Sequence, residues 1–493
     1  MFNWTPIDIA KGWLPDFIQF GMPPGGLRVC KNLLPYDEGY WPAKGKLTYA
    51  SGAFAETMFR AGCFYTEAGN FYSFYGGASK LYRLNIDKTV TNVSIASGYA
   101  TGDNSWNFEK YGDWLIATNY ADNVQILKTF DTGTNFANLA GSPPKAKFVK
   151  LYYGHLVLGY TAGAPKTLRW SALEDVENWT ISTATGADEQ NIASANGYMT
   201  GIERVGKSLA IFFSNSISLM YWSGGDYSFT IVENAVNNIG AIENTIVNIG
   251  GIVYFWDQRD IWAWDGNSEP TPIGMGIRNT ILDSYNRAYI NRISAVADQK
   301  RGLIFWSYPS TRSSAGVCDK ILCYNTKARK FTLIESDHSA LNSMYTGAFT
   351  LEGLAALYPD LDVIPYSFDS NFWLAGNPVI ACCDNSDTKV ATLTGTVLTG
   401  EIKTSLIKLR DQMTMVRKIR PRIQGAQDDI TIHTLTRYNE DDSDVESSAA
   451  TVSSTTGYAD VRATGRYVGV KMTTGLHNGI LEVEAEGITR GIR

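Results

Sequence analysis

The sequence predicts an all-β protein: a β-propeller of six blades, preceded by an extended N-terminal strap and followed by a β-sandwich-like domain. Three observations predict this arrangement. A glycine-led pair of strands recurs through the middle of the chain, prolines and glycines crowd its first part, and short alternating strands fill its last part. We expect the strap over residues 1–54, the propeller over residues 55–380 and the sandwich-like domain over residues 381–493.

The clearest copy of the repeated unit runs from Gly250 to Gly266 and reads GGIVYFWDQRDIWAWDG. An apolar run, Ile252–Trp256, is followed by four polar residues and then by a second apolar run, Ile261–Trp264. β-Branched and aromatic residues on both sides of a short polar loop predict a β-hairpin.

The same pattern starts at six glycines that are 42 to 52 residues apart. This period is close to that of one four-stranded propeller blade, and no segment shows the apolar spacing of paired helices. One blade cannot bury both of its faces, so the units must close into a ring. Six repeats predict six blades, and a ring of seven blades remains the alternative. The glycines are Gly69, Gly112, Gly154, Gly206, Gly250 and Gly302.

The first 50 residues are rich in residues that break helices. They predict an extended strap, which gains stability mainly by packing on other parts of the protein. The breakers are Pro15, Pro23, Pro24, Pro35 and Pro42, with Gly12, Gly21, Gly25, Gly26, Gly39 and Gly45.

Two further segments have their own patterns. Gly276–Ile290 places Ile277, Ile281 and Tyr285 at helical spacing, which predicts a short helix inserted between blades. After residue 380, short alternating runs such as Ile430–Tyr438 predict strands of a β-sandwich-like domain without helices. We expect its acidic loop, Glu440–Glu446, to be mobile, because it lacks the glycine and the ligand spacing of a calcium loop.

Composition limits the classes of function. The net charge of −6 argues against a dedicated high-affinity nucleic-acid binder, which needs a basic excess. We find no apolar segment of signal-peptide length at the N-terminus and no stretch near the 18 apolar residues of a membrane span. We therefore expect a soluble protein made in the cytoplasm.

The metal-binding residue types do not form a recognisable site. The histidines are scattered without metal-motif spacing, and the cysteines follow no framework, which predicts reduced, structural thiols. A zinc site built from Cys318, Cys323, Cys382 and Cys383 is disfavoured because the last two are adjacent and no two-residue spacing is present. We expect no metal and no cofactor. The scattered histidines are His155, His338, His433 and His477, and the other two cysteines are Cys30 and Cys63.

Carboxylates and serines do not assemble into a catalytic motif. Glycan-cleaving propellers place carboxylate pairs near their centre, and Asp257, Asp260 and Asp265 lie on one predicted hairpin. Their spacing fits aspartates that form turns equally well. Ser208 is not in a nucleophile-elbow context. We expect no enzymatic activity and name no catalytic residue.

The densest positive patch consists of Arg417, Lys418, Arg420 and Arg422. It is a candidate contact for a DNA backbone or for an acidic neighbouring subunit. The competing interpretation is a solvated strand face balanced by nearby Asp411, Asp428 and Asp429.

Seven stretches spread over nearly the whole chain carry a diffuse structural pattern rather than a catalytic motif. They are Asn32–Gly45, Arg169–Thr180, Gly201–Gly274, Ile293–Ser310, Asp319–Glu335, Gly465–Leu476 and Glu486–Arg493.

Together these stretches resemble the tail-hub or nozzle proteins of short-tailed bacteriophages, a family also described as packaged-DNA stabilisation proteins. The resemblance implies a subunit of a homo-oligomeric ring, a hexamer, in the tail of the virion. Such a ring is assembled in the host cytoplasm, stacks below portal-proximal adaptor proteins and contacts tail fibre or plug proteins. It retains packaged double-stranded DNA and conducts it without sequence specificity, and a wall with little positive charge suits a conduit.

Two other functions remain as alternatives. One is a propeller hydrolase that acts on host-surface glycan, which requires converging carboxylates at the propeller centre. The other is a carbohydrate-binding tail module, which requires exposed aromatic residues on a loop rim. Trp106, Trp179 and Trp373 are the candidates for such a rim, although tryptophan is more often buried.

Overall fold

The computed structural model describes residues 4–18, 21–67, 69–85, 87–100, 105–130, 133–225, 227–345, 378–408, 413–424, 430–475 and 479–489. Strands dominate these residues, and half of the described strands form five four-stranded antiparallel sheets. The predicted all-β propeller class is confirmed. Across the described residues, no helix has both the length and the apolar character needed to span a membrane.

The N-terminal segment is extended and forms short strands that pair with distant parts of the chain. They are β1 (Trp4–Ile7), β2 (Gly12–Trp13), β3 (Gly26–Lys31), β4 (Leu33–Pro35), β5 (Tyr40–Pro42) and β6 (Leu47–Ala53).

Each of the next five sheets consists of four consecutive antiparallel strands, and we number them blades 1 to 5. Blade 1 contains β7 (Met58–Tyr65), β8 (Phe71–Gly77), β9 (Leu81–Leu84) and β10 (Val90–Asn92). Blade 2 contains β11 (Asn107–Tyr111), β12 (Trp114–Thr118), β13 (Gln125–Leu127) and β14 (Ala137–Asn138). Blade 3 contains β15 (Ala146–Tyr152), β16 (His155–Thr161), β17 (Ala164–Trp170) and β18 (Asp188–Asn191). Blade 4 contains β19 (Met199–Val205), β20 (Ser208–Phe213), β21 (Ser216–Trp222) and β22 (Phe229–Asn237), and blade 5 contains β23 (Val247–Ile249), β24 (Ile252–Trp256), β25 (Ile261–Trp264) and β26 (Thr271–Pro272).

The helix predicted after blade 5 is confirmed. It consists of α1 (Arg278–Ser284) and a 3-10 helix, Arg287–Arg292. Ile277, Ile281 and Tyr285, which the apolar spacing singled out, are all buried. The helix therefore packs its apolar face between blade 5 and the sheet that follows.

Two more sheets share one long strand. Blade 6 contains β27 (Ser294–Asp298), β28 (Leu303–Tyr308), β29 (Cys318–Asn325) and the first part of β30 (Lys330–Tyr345). Blade 7 contains the second part of β30, followed by β31 (Pro378–Asp384), β32 (Lys389–Thr392) and the N-terminal strand β6.

The described strands thus form seven four-stranded blades, one more than the predicted six. The sequence repeat misses the seventh because its outermost strand, β6, comes from the N-terminal segment. Its innermost strand continues directly from the last strand of blade 6, so no turn separates the two blades. Blade 7 thus combines a strand that precedes blade 1 with strands that follow blade 6, and this pairing ties the first and last blades together.

Contacts between neighbouring blades close the ring. Each innermost strand contacts the innermost strand of the next blade, and β30 contacts β7. A separate apolar cluster fills each interface, such as the cluster of Phe74 with Leu115 between blades 1 and 2. Between blades 7 and 1, Ala381 and Met344 pack with Tyr75. Each cluster buries apolar side chains from the facing sheets of two neighbouring blades, and this burial holds the blades together.

The C-terminal part forms two facing sheets, as a β-sandwich-like domain requires. Its strands are β33 (Gly400–Thr404), β34 (Thr414–Gln424), β35 (Thr431–Arg437), β36 (Val445–Glu446), β37 (Ala450–Thr451), β38 (Ala459–Gly465), β39 (Tyr467–Thr474) and β40 (Gly479–Thr489). One sheet has the order β38-β34-β40-β5-β4, with β1 paired to β40, and the other has the order β3-β33-β39-β35.

The sandwich and the propeller share one core. Strand β3 pairs with β33 of the sandwich and, through Lys31 and Leu333, with β30 of blade 6. Val470 of the sandwich and Trp306 of blade 6 belong to the same apolar cluster. The predicted division between residues 380 and 381 lies within β31, a strand of blade 7.

Candidate functional site

Chain direction gives the propeller two different faces. We call the upper face the side at which the innermost strands begin, and the lower face the side at which they end. Because neighbouring strands are antiparallel, the turns between first and second strands lie on the lower face. All six repeat glycines occupy these lower turns, with φ values from +55° to +83°.

The predicted basic cluster lies on β34, beside three glutamates of β40. Arg420 and Arg422 stand opposite Glu484 and Glu482 in the register of the two strands. Arg422 Nη2 is 2.7 Å from Glu484 Oε1, and Arg420 Nη1 is 3.8 Å from Glu484 Oε2. The hydrogen bond to Glu484 raises the pKa of Arg422. Two of the four cations are therefore paired within the sandwich.

The other two cations have different surroundings. Lys418 Nζ lies 4.2 Å from the ring centroid of Tyr458, and the hydrogen bond to that tyrosine raises the pKa of Lys418. Arg417 is exposed beside a β-bulge between Val416 and Lys418. It lines a groove of about 890 Å³ together with Arg462 and Asp460. Asp411, Asp428 and Asp429, which were the expected counter-charges, lie outside the described residues.

The described histidines have structural partners. His155 is buried, and its Nδ1 lies 2.7 Å from the Ser171 carbonyl oxygen. His338 is buried between Ser307 Oγ and the Ser336 carbonyl oxygen, and burial lowers its pKa to about 4. His433 Nδ1 lies 3.0 Å from the Ser447 carbonyl oxygen, and His477 is outside the described residues.

The cysteines are free thiols on strands that pack against the core. Cys318 and Cys323 lie on β29, whereas Cys382 and Cys383 lie on β31. Burial raises the pKa of the Cys318 thiol to about 11 and that of the Cys382 thiol to about 12. Within the described ranges, no three side chains of the metal-binding types converge on one point.

The aspartates of the blade 5 hairpin hold turns. Asp260 accepts hydrogen bonds from the backbone of Ile261 and Gly274 and pairs with Arg278 at 3.0 Å, which attaches α1 to the hairpin. Asp265 accepts bonds from the Asn267 and Ser268 backbone, and these bonds lower its pKa. Two of the three aspartates weighed as acid and base are thus used to shape the loop, and the third, Asp257, is buried and lies 3.2 Å from Arg259 Nε, with burial raising its pKa.

The acidic loop Glu440–Glu446 is held in place, so the predicted mobility is wrong. Asp444 lies 2.7 Å from Arg28 Nη1 and 2.8 Å from Arg437 Nε. These two arginines lower the pKa of the Asp444 carboxyl group. The loop is ordered because it neutralises cations of β3 and β35, a pairing that the local sequence does not reveal.

Two of the tryptophans considered for a sugar-binding rim are core residues. Trp106 and Trp179 are 2% and 3% exposed, and Trp373 lies outside the described residues. Burial suits their large apolar rings, and each indole N–H finds a carbonyl oxygen, that of Gly77 for Trp106 and that of Val176 for Trp179.

Other aromatic residues are exposed on the lower face of blades 3 and 4. The rings of Tyr153 and Trp222 stack with centroids 5.4 Å apart and planes 12° apart. Leu173 lies beside the Tyr153–Gly154 turn, and the turn after Trp222 carries Tyr227. These four side chains are 36% to 71% exposed, and we call them the exposed aromatic patch.

The innermost strands are linked by bonds from side chains to backbone. Arg204 of β19 donates to the Leu151 carbonyl oxygen of β15 at 2.6 Å. Asn248 of β23 donates to the Arg204 carbonyl oxygen at 2.6 Å, and Gln299 donates to the Asn248 carbonyl oxygen at 3.0 Å. Blades 3 to 6 are thereby joined around the central channel, since these bonds satisfy backbone groups that the sheets leave free.

Charged side chains line this channel. Lys150 of β15 lies between Glu203 of β19, at 3.1 Å, and Glu109 of β11, at 3.7 Å. Burial raises the pKa of Glu109, even though the Lys150 charge acts in the opposite direction. One cation thus connects the innermost strands of blades 2, 3 and 4.

A second charged group lies at the upper mouth of the channel. Lys147 Nζ is 2.6 Å from Glu243 Oε2, and Arg60 Nη1 donates to the Ile293 carbonyl oxygen. Arg292 lies with its Cζ 3.4 Å from the ring centroid of Phe59, next to Arg60 in β7. These residues begin different innermost strands or precede them, so the ring brings them together.

Tyrosines surround the cations of the upper mouth. Tyr120 and Tyr160 pack edge to face with centroids 5.3 Å apart, and Tyr160 and Tyr198 do so at 6.4 Å. Lys147 Nζ lies 5.5 Å from the Tyr160 ring centroid. The mouth therefore combines cations, phenol groups and one carboxylate.

Sequence reasoning singled out neither the exposed aromatic patch nor the upper mouth. Arg60 and Lys147 lie near the start of strands that precede a repeat glycine, but at different distances from that glycine, so aligning the repeats does not bring them to one position. Glu243 and Arg292 lie in connections of unequal length, where the repeat gives no position.

No protein-family model matches the chain, and no curated protein is similar to it in sequence. Among solved structures, virginiamycin B lyase from Staphylococcus aureus is 11% identical, with a TM-score of 0.42 over 70% of this chain and 97% of that one. Apo AztD from Citrobacter koseri is 10% identical, with a TM-score of 0.36 over 88% and 90% of the two chains.

The extracellular domain of the hybrid two-component system BT4673 from B. thetaiotaomicron is 10% identical, with a TM-score of 0.40 over 78% of this chain. This chain spans 45% of that protein. At such identities and TM-scores, no activity of these proteins is transferred to this chain.

Proposed function

We propose that this chain is a structural, non-catalytic subunit of a ring in the short tail of a bacteriophage virion. Copies of the chain, about six by the family resemblance, surround the distal channel for double-stranded DNA. The ring stacks on portal-proximal adaptor proteins, receives tail fibre or plug proteins and is assembled in the host cytoplasm.

The observation that carries the proposal is the exposed aromatic patch on blades 3 and 4. Tyr227 is 71% exposed and Tyr153 is 47% exposed, whereas most large apolar side chains of the ring are buried. Exposed apolar patches of this kind mark interaction sites on proteins that otherwise bury their cores. Aromatic residues are also enriched at the centres of protein interfaces.

A closed ring needs two unlike surfaces on every subunit. The exposed aromatic patch belongs to blades 3 and 4, whereas the sandwich packs on blades 5 and 6. The groove beside Arg417 lies on the sandwich, so its basic rim and the aromatic patch are chemically and positionally different. They are our candidates for the two sides of the subunit contact.

The charge distribution suits a conduit for DNA. Arg420 and Arg422 are occupied by Glu482 and Glu484, which reduces the positive potential of the strip. Because affinity for DNA grows with the number of phosphates that are neutralised, a paired strip holds a passing duplex weakly. This supports retention and release without sequence recognition.

The first test is the mass of the purified protein by light scattering, alone and with the adaptor ring. We expect an assembly of about six copies, formed alone or on the adaptor. The double substitution Tyr153→Ser and Trp222→Ser should reduce assembly without unfolding the propeller. Tyr438→Ser, which removes an exposed tyrosine of the sandwich, is the matched control and should assemble normally.

A carbohydrate-binding tail module is the second candidate, because the stacked Tyr153 and Trp222 rings expose aromatic surface to which sugar rings bind. The same variants separate the two functions. A monomer that ignores the adaptor, binds host glycan and loses that binding in the double variant would replace the ring proposal. Depolymerisation of the glycan would instead support the propeller hydrolase.

A further inference from the structure

The upper mouth of the central channel contains an arginine with unused hydrogen-bonding capacity. Arg60 Nη1 is anchored on the Ile293 carbonyl oxygen. Its Nη2 is buried and has no hydrogen-bond partner among the described residues. A guanidinium carries five N–H donors in a fixed fork, and a buried donor without an acceptor is destabilising.

Neighbouring charges leave this place positive. Lys147 adds a second cation to Arg60, and among the described residues Glu243 supplies a carboxylate that acts on both. Glu243 is already 2.6 Å from Lys147 Nζ, so its charge is shared. Burial lowers the pKa of Arg60 to about 10, with Glu243 and the Cys318 thiol acting in the other direction.

Two buried hydroxyl groups on other innermost strands are also without partners among the described residues. Ser294 follows the residue that anchors Arg60, and its buried Oγ makes no hydrogen bond to a described residue. The same holds for Thr200 Oγ1 on β19. Buried polar groups in proteins are nearly always satisfied, by protein, water or a ligand.

We propose that the upper mouth of the central channel binds a small tetrahedral oxyanion of the phosphate type, with Arg60 and Lys147 as its main cationic contacts. Arginine recognises such anions through parallel N–H donors, and lysine contributes a point charge. The site is independent of the proposed ring, because it lies on the upper face, whereas the exposed aromatic patch lies on the lower face.

The oxyanion could come from free phosphate or from a phosphate monoester, and the experiment distinguishes the two by titrating one compound of each kind. Inorganic phosphate and glycerol phosphate are titrated separately into the full chain by isothermal titration calorimetry, at constant ionic strength maintained with chloride. Binding of both indicates a mouth open to phosphate monoesters, whereas binding of inorganic phosphate alone indicates an enclosed anion site. Either result supports the proposal.

Substitutions that remove either a positive or a negative charge test the contribution of each residue to phosphate binding. Arg60→Gln and Lys147→Gln should each weaken phosphate binding at least about tenfold. Glu243→Gln should strengthen it, because the competing carboxylate is removed. Lys207→Gln, an exposed lysine in a lower turn, is the matched control and should leave the affinity unchanged.

The Lys147 and Glu243 variants keep the test decisive if Arg60→Gln fails to fold. Unchanged affinity in Lys147→Gln, or weaker binding in Glu243→Gln, would overturn the proposal. No heat from either phosphate at millimolar concentration would overturn it as well, as would equal loss of affinity in Lys207→Gln. Ring assembly is measured separately, so failure of one proposal leaves the other standing.

Discussion

The charge environment of single side chains in this protein is set by partners that are distant in sequence. The densest basic cluster, on β34, is partly neutralised by glutamates more than 60 residues later, on β40. Arg422 and Glu484 are 62 positions apart and 2.7 Å apart in space. A charged run therefore indicates a binding surface only after its cross-strand neighbours are known.

His338 makes stability depend on pH. Burial lowers its pKa to about 4, from a value near 6.5 in an unfolded chain. Between these two values the unfolded state binds more protons, so stability falls as the pH falls. We expect a loss of about 2 kcal/mol between pH 7 and pH 5 from this residue. Urea denaturation at the two pH values measures it.

The control for this prediction separates His338 from the other titrating groups. His338→Gln should reduce the difference between the two pH values by the same amount, although its stability at pH 7 is also lower. An equal pH effect in the His338→Gln variant would contradict the assignment.

Turns between strands are fixed by glycines that occupy the left-handed region. The repeat glycines have positive φ on every lower turn of blades 1 to 6, which is why the sequence pattern could find them. Other glycines are required by close packing. Gly141, in the connection from blade 2 to blade 3, has φ +76°, and a Cβ there would lie 1.9 Å from the Glu177 carbonyl oxygen.

Alanine substitutions separate these two roles. Gly112→Ala adds a methyl group with no atom within 4 Å at φ +55°, so we expect a cost of about 1 kcal/mol from the backbone alone. Gly141→Ala adds a steric clash with backbone and should cost at least about 3 kcal/mol. Chemical denaturation of both variants checks the order, and equal costs would contradict it.

The whole molecule is closed by its N-terminal segment. Strand β6 completes blade 7, and β3 joins blade 6 to the sandwich. Phe54, directly after β6, is 4% exposed and packs against Tyr75 and Tyr82 of blade 1, with ring centroids 5.1 Å and 5.2 Å away. The segment therefore acts as a clasp between the first and last blades.

We expect the propeller to depend on this clasp. A chain that begins at residue 55 loses the outer strand of blade 7 and should show no cooperative thermal unfolding by circular dichroism. Phe54→Ala in the full chain should cost about 3–4 kcal/mol, because it empties a packed aromatic site.

Tyr65→Ala, which removes a more exposed ring of blade 1, is the control and should cost less than about 1 kcal/mol. A truncated chain that unfolds cooperatively near the temperature of the full chain would show that the propeller closes without β6.

Much of the fold could be predicted because it depends on local sequence patterns. Alternating apolar residues, turn glycines and the spacing of Ile277, Ile281 and Tyr285 depend on the nearest neighbours in sequence, and the structure confirms the hairpins and the short helix that they predict. The seventh blade could not be counted, since its strands come from residues 47–53 and 338–392 and share no repeat.

The sequence alone determined the class of the fold, the repeated hairpins and the extended character of the N-terminal segment, because these follow from backbone preferences and local burial. Ring closure decided the rest. It placed Arg60 and Lys147 near the same carboxylate, Glu243, at the channel mouth and set Tyr153 against Trp222 on the lower face. Sites formed by different blades depend on contacts between residues far apart in the chain, and such contacts exist only when the whole propeller has closed.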